Sequence, residues 1–409
     1  MSKLNDLITK LCPDGVQYRK LGEIEKDGLI KLGRGKVISK KDIANNPGTY
    51  PIYSASAMNN GKFGEYGDYM FDDIRLTWSI DGGGRFFYRD DEKYSVTNVC
   101  GWLKVIDENA FNPKFLFYVL TSQWSKLVFN YTIKAHPSVI RNTYDIPMVP
   151  LPVQSEIVRI LDAFTELEAE LEAELADRKK QYEYFRGRLL DDKNLERMDG
   201  EPVETKKLGD VSRVFGGYAF KSKEYTVSGA RVMRISDVQA GYISNENAKY
   251  CPIDQPKQAD SARLFANDLL VSLTGNVGRV AMVDNTVLPA YLNQRVAGLR
   301  ATDAINYRFL FHYLNQHQFI ADCERAGKGS AQKNLSMGYL TNYEIPVPSI
   351  ATQKRVVDIL DRFDALTTSL TDGIPAEIAM RREQYEYYRS RLLDFPRLPE
   401  DSDSDGNVE

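Results

Sequence analysis

Apolar positions recur in steps of three and four from Ile160 through Phe164, Leu167, Leu171, Leu175, Tyr182 and Phe185 to Leu189, with Arg178 the one charged member of the stripe. That period places these side chains on one face of an α-helix whose other faces are mostly Glu, Arg and Lys. A second stripe of the same spacing runs through Phe363, Leu366, Leu370, Ile374, Ile378, Arg381, Tyr385, Tyr388 and Leu392. A long helix buries such a stripe against a partner helix, and each copy is the obvious partner of the other. The expected pairing sets Leu167, Leu171, Leu175, Tyr182, Phe185 and Leu189 against Leu370, Ile374, Ile378, Tyr385, Tyr388 and Leu392. Thr165 and Glu168 have capping-box spacing, which predicts that the first helix runs from about Glu166 to Leu190, roughly 37 Å at 1.5 Å per residue.

The stripes lie inside a longer repeat. Tyr144-Asp145-Ile146-Pro147, Gln154, Ile160-Leu161-Asp162, Phe164 and Gln181-Tyr182-Glu183-Tyr184-Phe185-Arg186 return as Tyr343-Glu344-Ile345-Pro346, Gln353, Ile359-Leu360-Asp361, Phe363 and Gln384-Tyr385-Glu386-Tyr387-Tyr388-Arg389. The second copy is four residues longer between Tyr343 and Gln384 than the first is between Tyr144 and Gln181. Four residues make about one helical turn, so the apolar face survives the insertion. Asp372-Gly373-Ile374-Pro375 nevertheless interrupts regular helix there, as a kink or a restart.

Each repeat follows a segment of strand-and-turn texture. In the first, Thr49–Tyr53, Arg75–Ile80, Arg85–Tyr88 and Val99–Val105 are short β-branched and aromatic runs, and Phe115–Phe129 reads as a helix. The second segment keeps the anchors. Lys207-Leu208-Gly209-Asp210 answers Lys20-Leu21-Gly22-Glu23, Ser272 with Gly278-Arg279 answers Ser79 with Gly84-Arg85, and Phe309–Leu314 answers Phe115–Leu120. Between the anchors the two segments hardly resemble each other. The pattern divides the chain into an N-terminal amphipathic helix (1–15), a β-rich domain (16–145), the first long-helix region (146–200), a second β-rich domain (201–344), the second long-helix region (345–395) and an acidic tail (396–409).

Composition narrows the chemistry. A chain of 409 residues, 43% hydrophobic and 27% charged, is globular and too long for one ordinary core. With no apolar run of membrane-spanning length and no signal peptide expected, it reads as cytoplasmic. The four cysteines stand far apart and the three histidines have no ligand spacing, which argues against structural zinc or a disulfide framework. The net charge is −4, and the segment from Arg397 to Glu409 alone accounts for it, so that tail is expected to be disordered. Attraction to phosphates must come from local patches such as Lys31, Arg34, Lys36, Lys40 and Lys41 around Gly33 and Gly35.

Enzyme signatures do not assemble. The glycine runs Gly82-Gly83-Gly84 and Gly275–Gly278 lack a phosphate-loop pattern and read as hairpin turns. Asn46-Pro47-Gly48-Thr49-Tyr50 lacks the second proline of an amino-methyltransferase motif, and Asp91-Glu92-Lys93 has no upstream acid to complete a nuclease metal site.

Taken together, the paired Gln-Tyr-Glu-Tyr-(Phe/Tyr)-Arg helices, each preceded by Ile-Pro, Gln and Ile-Leu-Asp-x-Phe and each following a variable domain opened by Lys-Leu-Gly-(Glu/Asp), resemble the DNA-specificity subunit of type I restriction-modification systems. The resemblance covers nearly the whole chain except the tail. It implies an α+β fold in which two β-rich target-recognition domains are separated by two long antiparallel helices, each domain reading one half of a bipartite site in double-stranded DNA. It also implies that the helices space the domains and dock methyltransferase subunits, two of them expected, and that a restriction/motor subunit joins the complex. S-adenosylmethionine would then reside in the methyltransferase, ATP and Mg in the motor-nuclease, and no cofactor or catalytic residue in this chain.

Phosphates are held by Lys and Arg, whereas base edges are read by Arg, Asn, Gln and Ser. The candidate DNA contacts are Lys36, Lys40, Lys41, Asn59, Asn60, Lys62 and Arg85 in the first domain. In the second they are Lys221, Lys223, Arg231, Arg234, Asn276, Arg279, Lys328 and Lys333. Arg85 and Arg279 have an alternative role as buttresses of matching turns, because a base-reading residue should differ between the halves. A second class also stands at this stage, a non-catalytic adaptor clamping protein partners between repeated domains.

Overall fold

The computed structural model describes residues 2–399 apart from 56–58, 91–92, 130–131, 254–256, 328–333 and 370–371. The chain forms two compact units, one of residues 1–171 with 378–409 and the other of residues 172–377.

In the first unit, helix α1 (Ser2–Leu11) precedes strand β1 (Tyr18–Lys20) and helix α2 (Leu21–Lys26). An antiparallel four-stranded sheet has the order β2 (Ile30–Arg34), β8 (Cys100–Val105), β5 (Arg75–Ser79) and β6 (Phe86–Arg89). A second sheet has the order β4 (Lys62–Tyr66), β3 (Tyr50–Tyr53) and β7 (Ser95–Val96), with β3 and β7 parallel. Helix α3 (Lys40–Asn45) starts at a Ser39 cap completed by Asp42. Helix α4 (Pro113–Trp124) starts two residues before the predicted Phe115, because Asn112 accepts from the Lys114 and Phe115 amides and Pro113 presets the first turn. It ends at Trp124 rather than Phe129. Helix α5 (Pro137–Thr143) leads into β9 (Asp145–Pro147), which pairs antiparallel with β1.

Helix α6 (Leu151–Leu189) extends over 39 residues, so the capping-box start at Thr165 is wrong. The Thr165 hydroxyl donates to the Asp162 carbonyl inside the helix. Buried Val153, Ile157 and Leu161 extend the apolar face to the start of the helix and pack it into the core of the first unit. At 1.5 Å per residue the helix is about 58 Å long, which overturns the 37 Å expectation.

The second unit repeats the plan after helix α7 (Asp192–Asp199). Strand β10 (Glu204–Lys207) and helix α8 (Leu208–Val211) lead into a sheet of order β11 (Ser212–Gly216), β18 (Val296–Ala301), β15 (Leu269–Ser272) and β16 (Val280–Met282). The companion sheet has the order β13 (Tyr250–Cys251), β12 (Ala230–Met233), β17 (Ala290–Leu292) and β14 (Arg263–Leu264), again with one parallel pair, here β12 with β17. Helices α9 (Tyr307–Leu314), α10 (His317–Ala326) and α11 (Met337–Asn342) precede β19 (Glu344–Val347), the partner of β10. The second long-helix region is two helices, α12 (Ile350–Thr368) and α13 (Ile374–Leu392). Gly373-Ile374-Pro375 is therefore a restart, and the extra residues of the second copy fall at this break.

Register confirms the equivalence. Leu103 lies opposite Leu32 and Leu76, as Leu299 lies opposite Val214 and Leu269. Glycine is required just beyond the first strand of each sheet, since a Cβ on Gly35 would meet the Val96 carbonyl oxygen at 2.0 Å and one on Gly217 the Asn293 carbonyl oxygen at 2.1 Å.

Helix pairing occurs inside each unit. In the first, Phe164 stacks on Tyr388 at 5.4 Å between centroids and lies 6.5 Å from Tyr385, while Arg382 donates to Glu168 at 2.5 Å, so the α6 and α13 segments are antiparallel. In the second, Phe363 of α12 stacks on Phe185 at 5.4 Å and on Tyr182 at 6.4 Å. Such aromatic pairs each contribute about 0.5–1.5 kcal/mol beyond area burial. Of the expected stripe, Leu171, Tyr182, Ile374, Ile378 and Leu392 are buried, and Leu167, Leu175, Leu189, Tyr385 and Tyr388 are half-buried. Phe185 departs from expectation: it is 40% exposed, stacked on Phe363 and edge-on to Tyr184. Leu370 lies outside the described residues.

A repeated lock fastens each β-rich domain to its helix. The wholly buried Gln154 side chain accepts from the Asn112 amide at 2.8 Å and donates to the Ala110 and Val149 carbonyls at 2.8 and 2.7 Å. Gln353 does the same for the Asn306 amide at 2.7 Å and the Pro348 carbonyl at 2.8 Å. Beside them, Asp162 receives Lys114 at 2.8 Å and the Tyr118 hydroxyl at 2.5 Å. Asp361 receives Arg308 and, at 2.6 Å, the Nε2 of His312.

In the second lock His312 stands where the first has Tyr118. The neutral imidazole fits both neighbours, donating from Nε2 to Asp361 and accepting at Nδ1 from the Tyr182 hydroxyl at 2.9 Å. Burial holds its pKa below the ordinary 6.5, ahead of the opposing pull of Asp361, and Arg308 pushes the same way as burial. Asp361 also resists protonation: burial works against its charge, but bonds from His312 and Arg308 more than offset this and lower its pKa. Because the unfolded chain takes up the His312 proton more readily, the stabilisation from neutral imidazole is present above about pH 6.5 and lost as pH falls through the folded pKa. The loss linked to Asp361 comes lower, below about pH 4. Thermal melts between about pH 7 and pH 5 should show falling stability, and His312→Gln should flatten that slope. An unchanged slope would assign it to other groups.

Candidate nucleic-acid interface

In the first β-rich domain the chain runs on from β2 past Gly35, and Lys36 N–H donating to Val96 O at 3.2 Å puts exposed Lys36 beside β7. Lys36 and Arg34 line a cleft of about 740 Å³ with Asp42, Asn45, Tyr69 and Trp102. Lys40 and Lys41 are exposed at the start of α3, which contributes Asp42 and Asn45 to that cleft. Asn59 and Lys62 line a separate depression of about 600 Å³, where Lys62 is already paired with Glu65 at 2.6 Å. Asn59 and Asn60 have positive φ angles of 50° and 52°, and the Asn60 carbonyl accepts from Arg89 at 2.7 Å, so this pair shapes a turn. Arg85 is exposed, with its guanidinium 5.4 Å from the Phe87 ring centre.

In the second domain the candidates separate further. Arg231 is 5% exposed, and its guanidinium donates to Asn245 and to the Ser244 carbonyl, both at 2.7 Å, so it organises a loop and is withdrawn as a DNA contact. Arg234 is half-buried and tied to the fully buried Asp237 at 3.0 Å and to the Asn247 carbonyl, a structural role as well. Lys221 and Lys223 are exposed around the 3₁₀ turn Ser222–Glu224. Lys328 and Lys333 lie outside the described residues.

Asn276 and Arg279 do come together, in a cleft of about 290 Å³ that also includes Ser236, Thr274 and Arg295. Arg279 donates to Gln239 at 2.6 Å. The matching hairpins predicted at Gly82–Gly84 and Gly275–Gly278 are present. Gly84 and Gly278 have φ of 76° and 81°, and each donates its amide back to the serine ending the preceding strand, Ser79 or Ser272. Among the described residues no helix is long and apolar enough to cross a membrane.

This duplicated scaffold with unlike clefts is matched by known sequences. The family described as "Type I restriction modification DNA specificity domain" matches twice, over residues 13–177 and 200–380. The chain belongs to the type I restriction-modification specificity-subunit family. A putative type I specificity subunit of Mycoplasma pneumoniae is 31% identical to this subunit over 380 residues, covering 90% of this chain and 96% of its own. The EcoR124I/EcoR124II specificity subunit of Escherichia coli is 34% identical over 313 residues, 75% of this chain and 73% of its own. The fold agrees with that of an S subunit from M. genitalium at a TM-score of 0.53 and 17% identity, covering 93% of this chain and 96% of the other. A chain from a study of complex assembly in the type I system agrees at 0.55 and 17%, covering 94% and 98%.

Sequence reasoning missed Arg295 and the Gln154 and Gln353 locks. The glutamines were visible as an exact recurrence within the repeat. Arg295 carried no such signal, because its counterpart in the first half is Val99.

Proposed function

We propose that this specificity subunit is the non-catalytic DNA-recognition component of a type I restriction-modification complex, each β-rich domain reading one half of a bipartite site. The observation that carries the reading is one scaffold used twice with unlike side chains at equivalent places: Lys36 against Tyr218 beside the parallel strand pair, and Val99 against Arg295. A protein that clamped two copies of one partner would gain nothing from such divergence, whereas two different half-sites require it.

In this reading the long helices space the domains and dock methyltransferase subunits that bring S-adenosylmethionine, while a motor-nuclease subunit brings ATP and Mg. Docking is supported by a surface feature common to both copies. Tyr184 is 57% exposed and takes a bond from Arg188 at 2.9 Å, and Tyr387 is 52% exposed and takes one from Arg391 at 2.6 Å. Exposed Tyr and Arg together are the side chains enriched at protein interfaces.

The test is co-expression with the methyltransferase subunit and sequencing of the methylated DNA. A two-part motif with a fixed gap is expected, with no methylation or cleavage by the isolated chain. Partner binding without any sequence preference would return the adaptor reading, and activity of the isolated chain would refute the non-catalytic role.

A further inference from the structure

We infer that the hairpin cleft of the second domain is a base-reading pocket in which Arg295 recognises a guanine; this deepens the DNA-recognition reading and rests on it. The pocket gathers Ser236, Thr274, Asn276, Arg279 and Arg295 with Ile235 as an apolar wall, and no acidic side chain is among the described residues that line it. It therefore presents hydrogen-bonding groups and positive charge to a polyanion without internal repulsion.

Within it the two arginines differ. Arg279 has a first-domain counterpart in Arg85 and is engaged by Gln239, as a residue supporting the turn would be. Arg295 is exposed, and its guanidinium has no hydrogen-bond or ion-pair partner among the described residues. Its backbone is nonetheless fixed: its carbonyl accepts from Leu273 N–H at 3.1 Å, and the adjacent Val296 N–H closes on Asn293 O at 3.0 Å. A free planar fork on a fixed main chain is the arrangement that reads guanine O6 and N7 with two parallel bonds in the major groove.

The first domain supplies an internal comparison. The Val99 carbonyl accepts from Ile80 N–H at 3.0 Å just as the Arg295 carbonyl accepts from Leu273, so Val99 occupies the Arg295 position. Its neighbouring turn holds Asp81 in an ion pair with Lys134 at 3.0 Å. The same place on the scaffold is thus apolar in one domain and a free guanidinium in the other, as expected of a position that sets specificity.

The experiment compares the full subunit, in complex with its methyltransferase, as wild type, Arg295→Val and Arg295→Lys. Binding to duplexes substituted singly at each base pair and the methylated motif are both read out. Wild type should prefer a G·C pair at one position of one half-site, by roughly 10- to 100-fold. Arg295→Val should abolish that preference there and leave the other half-site intact. Arg295→Lys should not restore it, since an ammonium lacks the fork. Uniform weakening with specificity retained, rescued by lysine, would make Arg295 a phosphate contact and overturn the proposal, as would an unchanged motif in both variants. Failure of the wild-type complex to show any sequence preference would instead count against the DNA-recognition reading itself.

Discussion

Insertion of four residues after Leu171 should move methylation to a site with the same two half-sites set about two base pairs further apart, and methylation at the original spacing should be lost. Helix α6 is unbroken from Leu151 to Leu189. Leu171 is buried on its apolar face, with Leu167 and Leu175 one turn to either side. Four residues add about 6 Å and rotate the C-terminal part of the helix by only about 40°, so the stripe stays in register while the span grows. At 3.4 Å per base pair that increment is roughly two base pairs. The increment depends only on the rise per residue and not on the total length of the helix. The break between α12 and α13, where the second copy already carries its additional residues, is a ready place for the pairing to adjust. Methylation mapping decides the matter, and an unchanged gap with activity retained would mean that the helices do not set the spacing.

Gln154→Leu should destabilise the first unit by about 3–5 kcal/mol. The replacement is close in volume, so the cost comes from three buried backbone groups, the Asn112 amide and the Ala110 and Val149 carbonyls, left without their partner. Each unsatisfied buried group costs about 1–3 kcal/mol, a large share of the 5–15 kcal/mol typical of a domain. Chemical denaturation should show an early transition, with hydrogen exchange accelerated around residues 110–149 and discrimination lost at the half-site read by the first domain. Gln353→Leu should give the corresponding loss in the second unit. Stability within about 1 kcal/mol of wild type would show that water or rearrangement replaces the glutamine.

These glutamines also separate what is legible from what is not. Their recurrence at one place in each repeat is plain in the sequence, as are the helical stripes and the short strands, because period and apolarity reflect which face of a local element is buried. Their task is not legible, since the amides they satisfy, those of Asn112 and Asn306, lie more than forty residues earlier in the chain. The same limit explains Arg231 and Arg295. Both are arginines in a β-rich domain, yet Asn245 and Ser244 hold the first while the guanidinium of the second has no hydrogen-bond or ion-pair partner among the described residues.

By itself, then, the sequence determined the duplication, the alternation of β-rich domains with long helices, an interruption at Gly373-Ile374-Pro375 and the family, all of which rest on patterns local to each element. Tertiary structure decided that α6 starts at Leu151, because packing of Val153, Ile157 and Leu161 into the core outweighs a capping signal at Thr165. It also decided which cations are held by other side chains and which are not, because a side chain's availability depends on partners that folding brings from distant parts of the chain, and no spacing rule records them.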